Sequence, residues 1–157
     1  MSQLFLDRFK EFVNTHYSDC KLSTTNICSN MYCSVSYLHC ILINNYGYSI
    51  MKYVEYVRIL KAIELICKGE KKVYWMVGYN SSSVFSRSFL RITGFNARCF
   101  FPYQFANNKN LIKTALDLKT EDPKEVIETI IKIVSMKSIL SINKKSQNIN
   151  KKGQNKN

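Results

Sequence analysis

Apolar residues recur three and four positions apart along much of the chain, which is the spacing of one face of an α-helix. Phe5, Phe9 and Phe12 form such a stripe within residues 4–17 and predict an amphipathic leading helix. In residues 50–67 the apolar positions move from one side of a helix to the other. This pattern predicts a long linker helix that packs against two different units.

An internal repeat supplies the two units. A shift of 47 residues superposes positions 32–53 on 79–100 without a gap, and Tyr32 then meets Tyr79. The other matched pairs have the properties that a short helix needs at its ends and on its buried face: Ser34/Ser81, Ser36/Ser83, Leu38/Phe85, Leu42/Phe89, Gly47/Gly94 and Tyr53/Phe100. The matched serines predict N-caps, and the matched glycines predict C-terminal stops with positive φ.

A short helix precedes each unit, at about 24–30 in the first and from Val73 to Val77 in the second. Two helices joined by a tight turn form a helix-turn-helix, whose second helix can enter a major groove of DNA. We predict a first motif at about 22–47 and a second at about 72–94. The predicted fold class is all-α, with two helix-turn-helix subdomains joined by the linker helix in a domain of residues 1–102.

The residue pattern in 103–142 predicts a helical extension of this domain. Asp122 and Pro123 have the form of an N-cap followed by proline at the first helical position. An apolar stripe follows at Val126, Ile127, Ile130, Ile131, Val134 and Ile139. We expect this 126–139 stripe to pack on the preceding domain; the alternatives are a partner or dimer surface, or interfacial binding to a membrane.

Composition and charge narrow the function. Of the 157 residues, 46% are hydrophobic, which excludes wholesale disorder, and the net charge is +12, which indicates a polyanionic partner such as nucleic acid. Residues 1–102 carry +6 of this charge, whereas 143–157 carry five lysines and no acid. This lysine-rich tail has one apolar residue and is predicted to be disordered.

The sequence gives little support for an enzyme. His16 and His39 are the only histidines, the six cysteines include no C-x2-C pair, and no glycine-rich phosphate loop occurs. We therefore expect no catalytic site, no metal and no cofactor. No stretch of 18 apolar residues occurs, so no membrane span is expected either.

Two runs carry a family resemblance. One extends from Tyr53 to Ile66 and places Arg58 four residues before Ala62. The other, which is more specific, is Gly78-Tyr79-x-Ser81-x-Ser83-x-Phe85-Ser86-Arg87-x-Phe89-x4-Gly94. Together they resemble the DNA-binding domain of the AraC/XylS family of bacterial transcription regulators, over residues 4–102, without an effector domain ahead of it.

The chain departs from the family pattern at several positions. Three residues are missing between Ile66 and Val73, so either the turn after the linker helix or the helix that follows is shortened. Tyr32 replaces the common glycine of the first turn, and Cys40 replaces a frequent arginine. Further differences are Tyr74 for alanine, and Ala97 and Phe101 for proline and arginine.

The candidate DNA-binding residues lie on the outer face of each second helix. In the second motif they are Ser82, Ser83, Ser86, Arg87 and Arg91, and the resemblance implies base contact for Ser82, Ser83 and Arg87, with Ser86 nearer the phosphates. In the first motif they are Ser36, His39 and Cys40. That face has no lysine or arginine, so it either contacts bases through water or is degenerate.

The resulting hypothesis is a cytoplasmic, nucleoid-associated regulator of bacterial promoters that activates or represses transcription. It would bind double-stranded DNA in two successive major grooves as a monomer and touch RNA polymerase. The alternative is a degenerate helix-turn-helix protein that modulates a related regulator or the transcription machinery by protein–protein contact.

Overall fold

A computed structural model describes residues 2–100, 109–117 and 122–136. Within these ranges the chain is helical and contains no strand. The helices are α1 (Ser2–His16), α2 (Thr24–Met31), α3 (Val35–Tyr46), α4 (Ile50–Cys67), α5 (Val73–Met76), α6 (Ser82–Thr93), a 3-10 turn (Ala97–Phe100), α7 (Lys109–Leu116) and α8 (123–136). The predicted all-α class is confirmed.

The long helix α4 contributes to two separate cores, as its rotating apolar pattern predicted. Its first half packs with α1, α2 and α3, and its second half packs with α5, α6, the 3-10 turn, α7 and α8. The buried residues of the first half are Ile50, Tyr53, Val54 and Val57, and those of the second are Ile59, Ala62, Ile63 and Ile66. One helix therefore fixes the two helix-turn-helix units relative to each other.

The leading helix completes the first core. Phe9 and Val13 of α1 are fully buried, and the Phe9 ring lies 5.0 Å from the Tyr53 ring on α4, centroid to centroid. Phe5 and Phe12 pack at the edge of the same core. The predicted amphipathic helix is confirmed.

The second helix of each motif begins and ends as the repeat predicted. The Ser34 hydroxyl accepts from the backbone N–H of Tyr37 at 3.2 Å, and that of Ser81 accepts from Val84 at 3.3 Å. Gly47 and Gly94 close these helices with φ of 78° and 76°. Each pair of caps satisfies free backbone groups at the helix ends and sets the length of α3 and α6.

The two turns differ from the sequence superposition. The left-handed residue is Tyr32 (φ 54°) in the first turn and Gly78 (φ 83°) in the second, so the pairing of Tyr32 with Tyr79 is wrong for the backbone. In the first turn one residue lies between Tyr32 and the N-cap Ser34. In the second turn two residues lie between Gly78 and the N-cap Ser81. The second motif also opens with a helix of four residues, against eight in α2, so its first helix is the shortened element.

The helical extension packs on the second core, which confirms the favoured interpretation of the 126–139 stripe. Val126, Ile127, Ile130 and Val134 are buried beside the second half of α4. The stripe is therefore unavailable to a partner at these four positions, because the chain covers it itself. Ile139 and the lysine-rich tail lie outside the described residues. In the described ranges, no helix has the length and apolar character needed to cross a membrane.

Candidate nucleic-acid interface

Helix α6 separates a buried face from a polar outer face. Phe85 and Phe89 lie in the second core, with Phe89 contacting Phe100 of the 3-10 turn at 5.4 Å between ring centroids. The five residues predicted to contact DNA are all exposed: Ser82, Ser83, Ser86, Arg87 and Arg91. The structure thus brings these candidates together on one accessible surface of the second recognition helix.

The two arginines of this surface are not equivalent. Arg87 is exposed and has no ion-pair partner within the described ranges. Arg91, one turn further along α6, forms a hydrogen-bonded ion pair with Glu55 of α4. The guanidinium of Arg87 is therefore free to approach DNA, whereas that of Arg91 is held beside a carboxylate.

Glu55 collects three donors. Its Oε1 accepts from Arg91 and from the Ser88 hydroxyl, and its Oε2 accepts from Lys52 Nζ at 2.8 Å. Burial acts to raise the pKa of this carboxyl, but the bonds from Lys52 and Ser88 and the charges of Lys52 and Arg91 outweigh it, so the pKa is lowered. Sequence reasoning missed Glu55, because its partners on α6 lie 33 and 36 residues away.

A second set of contacts fixes the turn of the second motif. The Tyr79 hydroxyl lies 3.0 Å from the Ser88 hydroxyl, and the guanidinium of Arg58 lies 5.6 Å from the centre of the Tyr79 ring. Arg58 Nε donates to the carbonyl of Tyr17 and its Nη2 to that of Asp19, both at 2.8 Å. Arg58 is therefore directed inward and joins the loop after α1 to the second motif.

A groove of about 600 Å³ runs between α4 and α6. Four cationic side chains line the groove, those of Lys52, Arg58, Arg87 and Arg91. One acidic side chain, that of Glu55, lies among them. The excess of positive charge on this face suits a polyanion that approaches along α6.

The first recognition helix, α3, has a different outer face. Ser36, His39 and Cys40 are exposed, as predicted, and Asn44 donates to the Cys40 sulfur at 3.5 Å. The helix contains no lysine or arginine between Val35 and Tyr46. Its face therefore offers hydroxyl, imidazole and thiol groups but no fixed positive charge.

The described residues hold no grouping of His, Cys, Asp or Glu that could bind a metal ion. The six cysteines are free thiols, of which Cys28 and Cys67 are buried. Cys28 packs in the first core, where burial and the neighbouring Cys33 raise its pKa. Of the other four thiols, those of Cys20 and Cys40 are exposed and those of Cys33 and Cys99 are half-buried.

Two helix-turn-helix motifs on one shared linker helix, each with an accessible second helix, define a tandem helix-turn-helix domain of the DNA-binding class. Residues 27–101 match the sequence profile of a family described as a helix-turn-helix domain. The resemblance to an AraC-type helix-turn-helix domain seen in the sequence is confirmed over these residues. This match supports a DNA-binding transcription regulator.

The fold is similar to that of a solved structure, the C-terminal domain of AraT, a response regulator from Geobacillus stearothermophilus. The two chains share 22% sequence identity with a TM-score of 0.58, over 61% of this chain and 82% of the other. At this level of sequence identity, the structural similarity supports a shared fold. No curated protein sequence gives a significant match.

Proposed function

We propose that the protein is a sequence-specific transcription regulator that binds bacterial promoter DNA as a monomer, through two successive major grooves. The observation that carries this proposal is the arrangement of α3 and α6 on opposite halves of α4, each with an exposed outer face that includes polar side chains. Major grooves on one side of B-DNA recur about every 34 Å. In this proposal a single chain supplies one recognition helix to each of two grooves, without a second copy.

Each recognition helix has its own task in this proposal. Arg87 is the principal base contact, because a free guanidinium can bond bidentately to guanine O6 and N7. Ser82 and Ser83 lie beside it at base edges, and Ser86 lies nearer the phosphates. On α3 the contacts fall to the exposed side chains Ser36, His39 and Cys40.

The different outer faces of α3 and α6 require an asymmetric binding site. Hydroxyl-radical footprinting of the full chain on a bound promoter fragment tests this directly. We expect protection of about 20 base pairs in two patches one helical turn apart, at a stoichiometry of one chain per site. A palindromic site occupied by two chains would contradict the proposal.

In the cell, such a regulator would act at the nucleoid in the cytoplasm, as an activator through contact with RNA polymerase or as a repressor by blocking it.

The outer face of α3 favours a second candidate function. It exposes the apolar side chains Val35, Tyr37 and Ile43 and carries no cation, which suits protein contact better than phosphate contact. In this alternative the chain modulates a related regulator or the transcription machinery by protein–protein contact.

The paired substitution Val35→Ser and Ile43→Ser separates the two functions, because neither side chain belongs to the first core. Regulation that is lost while duplex binding at moderate salt survives supports the second function. Loss of both together supports a DNA-binding role for α3. Val84→Ser, at an equally exposed apolar position of α6, is the matched control.

A further inference from the structure

We propose that Glu55 is a specificity-determining residue, which withholds the charges of Arg91 and Lys52 from DNA phosphates and so limits sequence-independent binding. The inference rests on the proposed DNA-binding function. It assigns a role in DNA discrimination to a residue of the linker helix that lies outside both recognition helices.

The contacts of Glu55 place its charge beneath the recognition surface. Arg91 and Ser88 on α6 share Oε1, and Lys52 on the same helix as Glu55 binds Oε2. The side chain of Glu55 is only 17% exposed, whereas that of Arg91 is 62% exposed. The carboxylate thus lies below the guanidinium and neutralises it at the surface that a phosphate would approach.

The neighbouring arginine shows what this pairing removes. Arg87 and Arg91 lie four residues apart on one face of α6, and Arg87 has no acidic partner in the described part of the chain. Glu55 is the one acid among the residues that line the groove between α4 and α6. The surface therefore presents the free guanidinium of Arg87, which is suited to a base edge, and the guanidinium of Arg91, which is paired with the Glu55 carboxylate.

The physical consequence is a smaller salt dependence of binding. Each phosphate neutralised by a cation adds about 0.9 to the slope of log K against log salt concentration, because a condensed counterion is released. Glu55→Gln keeps the size of the side chain and an acceptor oxygen for Ser88 but removes the negative charge. It should free at least one cation for phosphate contact and steepen the slope by about 0.9 or more.

The experiment uses the full chain and fluorescence anisotropy with a random-sequence 25-base-pair duplex, between 50 and 200 mM KCl. Four proteins form a cycle: wild type, Glu55→Gln, Arg91→Gln and the double variant. We expect Glu55→Gln to bind the random duplex more tightly, with an advantage that shrinks about 3.5-fold across this salt range. Arg91→Gln should make the fall of log K with log salt concentration less steep. We expect a change of about 0.9 in the Glu55→Gln background and of less than half as much in the wild type.

Ser88→Ala is the matched control, because it removes the Ser88–Glu55 hydrogen bond without changing any charge. Its salt slope should equal that of the wild type. The Arg91→Gln measurement in the wild-type background needs no change at Glu55, so it tests the proposal even if Glu55→Gln does not fold. Thermal melting of each variant identifies a loss of folding.

Four results would overturn the proposal. One is an equal effect of Arg91→Gln with and without Glu55, and another is weaker binding of the random duplex by a folded Glu55→Gln variant, which would show that Glu55 orients Arg91 for contact. A wild-type chain that binds no duplex at all would refute the proposed function together with this inference. A wild type that binds, with an unchanged slope in Glu55→Gln, would refute the inference alone.

Discussion

The hydroxyl of Tyr48 donates a hydrogen bond of 2.5 Å to Oδ1 of Asp122, 74 residues further along the chain. The same carboxylate oxygen accepts from the backbone N–H of Lys124 at 2.9 Å, at the start of α8. One side chain therefore caps the last described helix and also fastens it to the junction between α3 and α4. Burial and the bond to Asp122 raise the pKa of Tyr48 well above its ordinary value, so the hydroxyl remains a donor at neutral pH.

Asp122→Ala should destabilise the protein by about 2 kcal/mol, because it removes both an N-cap and a hydrogen bond to a charged acceptor. Asp122→Asn keeps the cap and should cost less than half as much. Urea denaturation followed by circular dichroism measures both. Asp117→Ala, at an exposed position after α7, serves as the control and should stay within about 0.5 kcal/mol of the wild type. An Asp122→Ala variant as stable as this control would show that Asp122 does not anchor α8.

The features that were predictable from the sequence are those with a local cause. Ser34 and Ser81 cap their helices because a hydroxyl at that position reaches the free N–H three residues on. The linker helix was predictable because the apolar period reports directly which side of a helix is buried. Exposure of the outer face of α6, including Arg87, follows from the same period.

The features that could not be predicted depend on tertiary contacts. No local pattern distinguishes Arg91 from Arg87, since the difference between them is a carboxylate 36 residues away in the chain. The superposition of the repeat also paired Tyr32 with Tyr79, because it matches residue types and not backbone conformation; the family pattern, which places Tyr32 at the turn glycine, agrees with the structure. The bond between Tyr48 and Asp122 likewise joins two residues that are 74 positions apart in the chain.

Tyr32 occupies the left-handed region with φ of 54° while its side chain is 91% exposed. A residue with a Cβ is strained by about 1–2 kcal/mol there, and an exposed ring gives little packing in return. Tyr32→Gly should therefore stabilise the protein by about 0.5–1 kcal/mol, after allowing for the greater freedom of glycine in the unfolded chain. Tyr32→Ala keeps the strain and should be close to neutral. Equal stability of the glycine and alanine variants in urea denaturation would count against this account of the turn.

Gly78 has the corresponding conformation in the second turn, with φ of 83°, and is also closely surrounded. A Cβ at this position would lie 2.5 Å from the carbonyl oxygen of Tyr17 and 2.9 Å from the Arg58 guanidinium. Gly78→Ala should therefore displace the loop after α1 as well as strain the turn. We expect a loss of at least about 2 kcal/mol in urea denaturation, because strain and a close contact add.

Gly94→Ala is the matched control for this prediction, since its φ of 76° is similar and a Cβ there would meet nothing within 4 Å. The control should lose only the backbone term of about 1–2 kcal/mol. Equal losses at the two glycines would show that the contact with Tyr17 and Arg58 does not constrain the second motif.

Arg87 is the residue on which the proposed sequence preference depends most. Arg87→Ala should weaken binding to the footprinted promoter site by about 1–3 kcal/mol and reduce the preference over random duplex. The reason is that a free guanidinium can distinguish guanine by two hydrogen bonds, whereas a phosphate contact is the same at every sequence. Competition binding with specific and random duplexes at one salt concentration measures both quantities. Arg98→Ala, an exposed arginine of the 3-10 turn outside α6, should change the two affinities by the same factor if it changes them at all. A parallel loss of both affinities in Arg87→Ala would assign Arg87 to the phosphate backbone and leave the serines of α6 as the source of specificity.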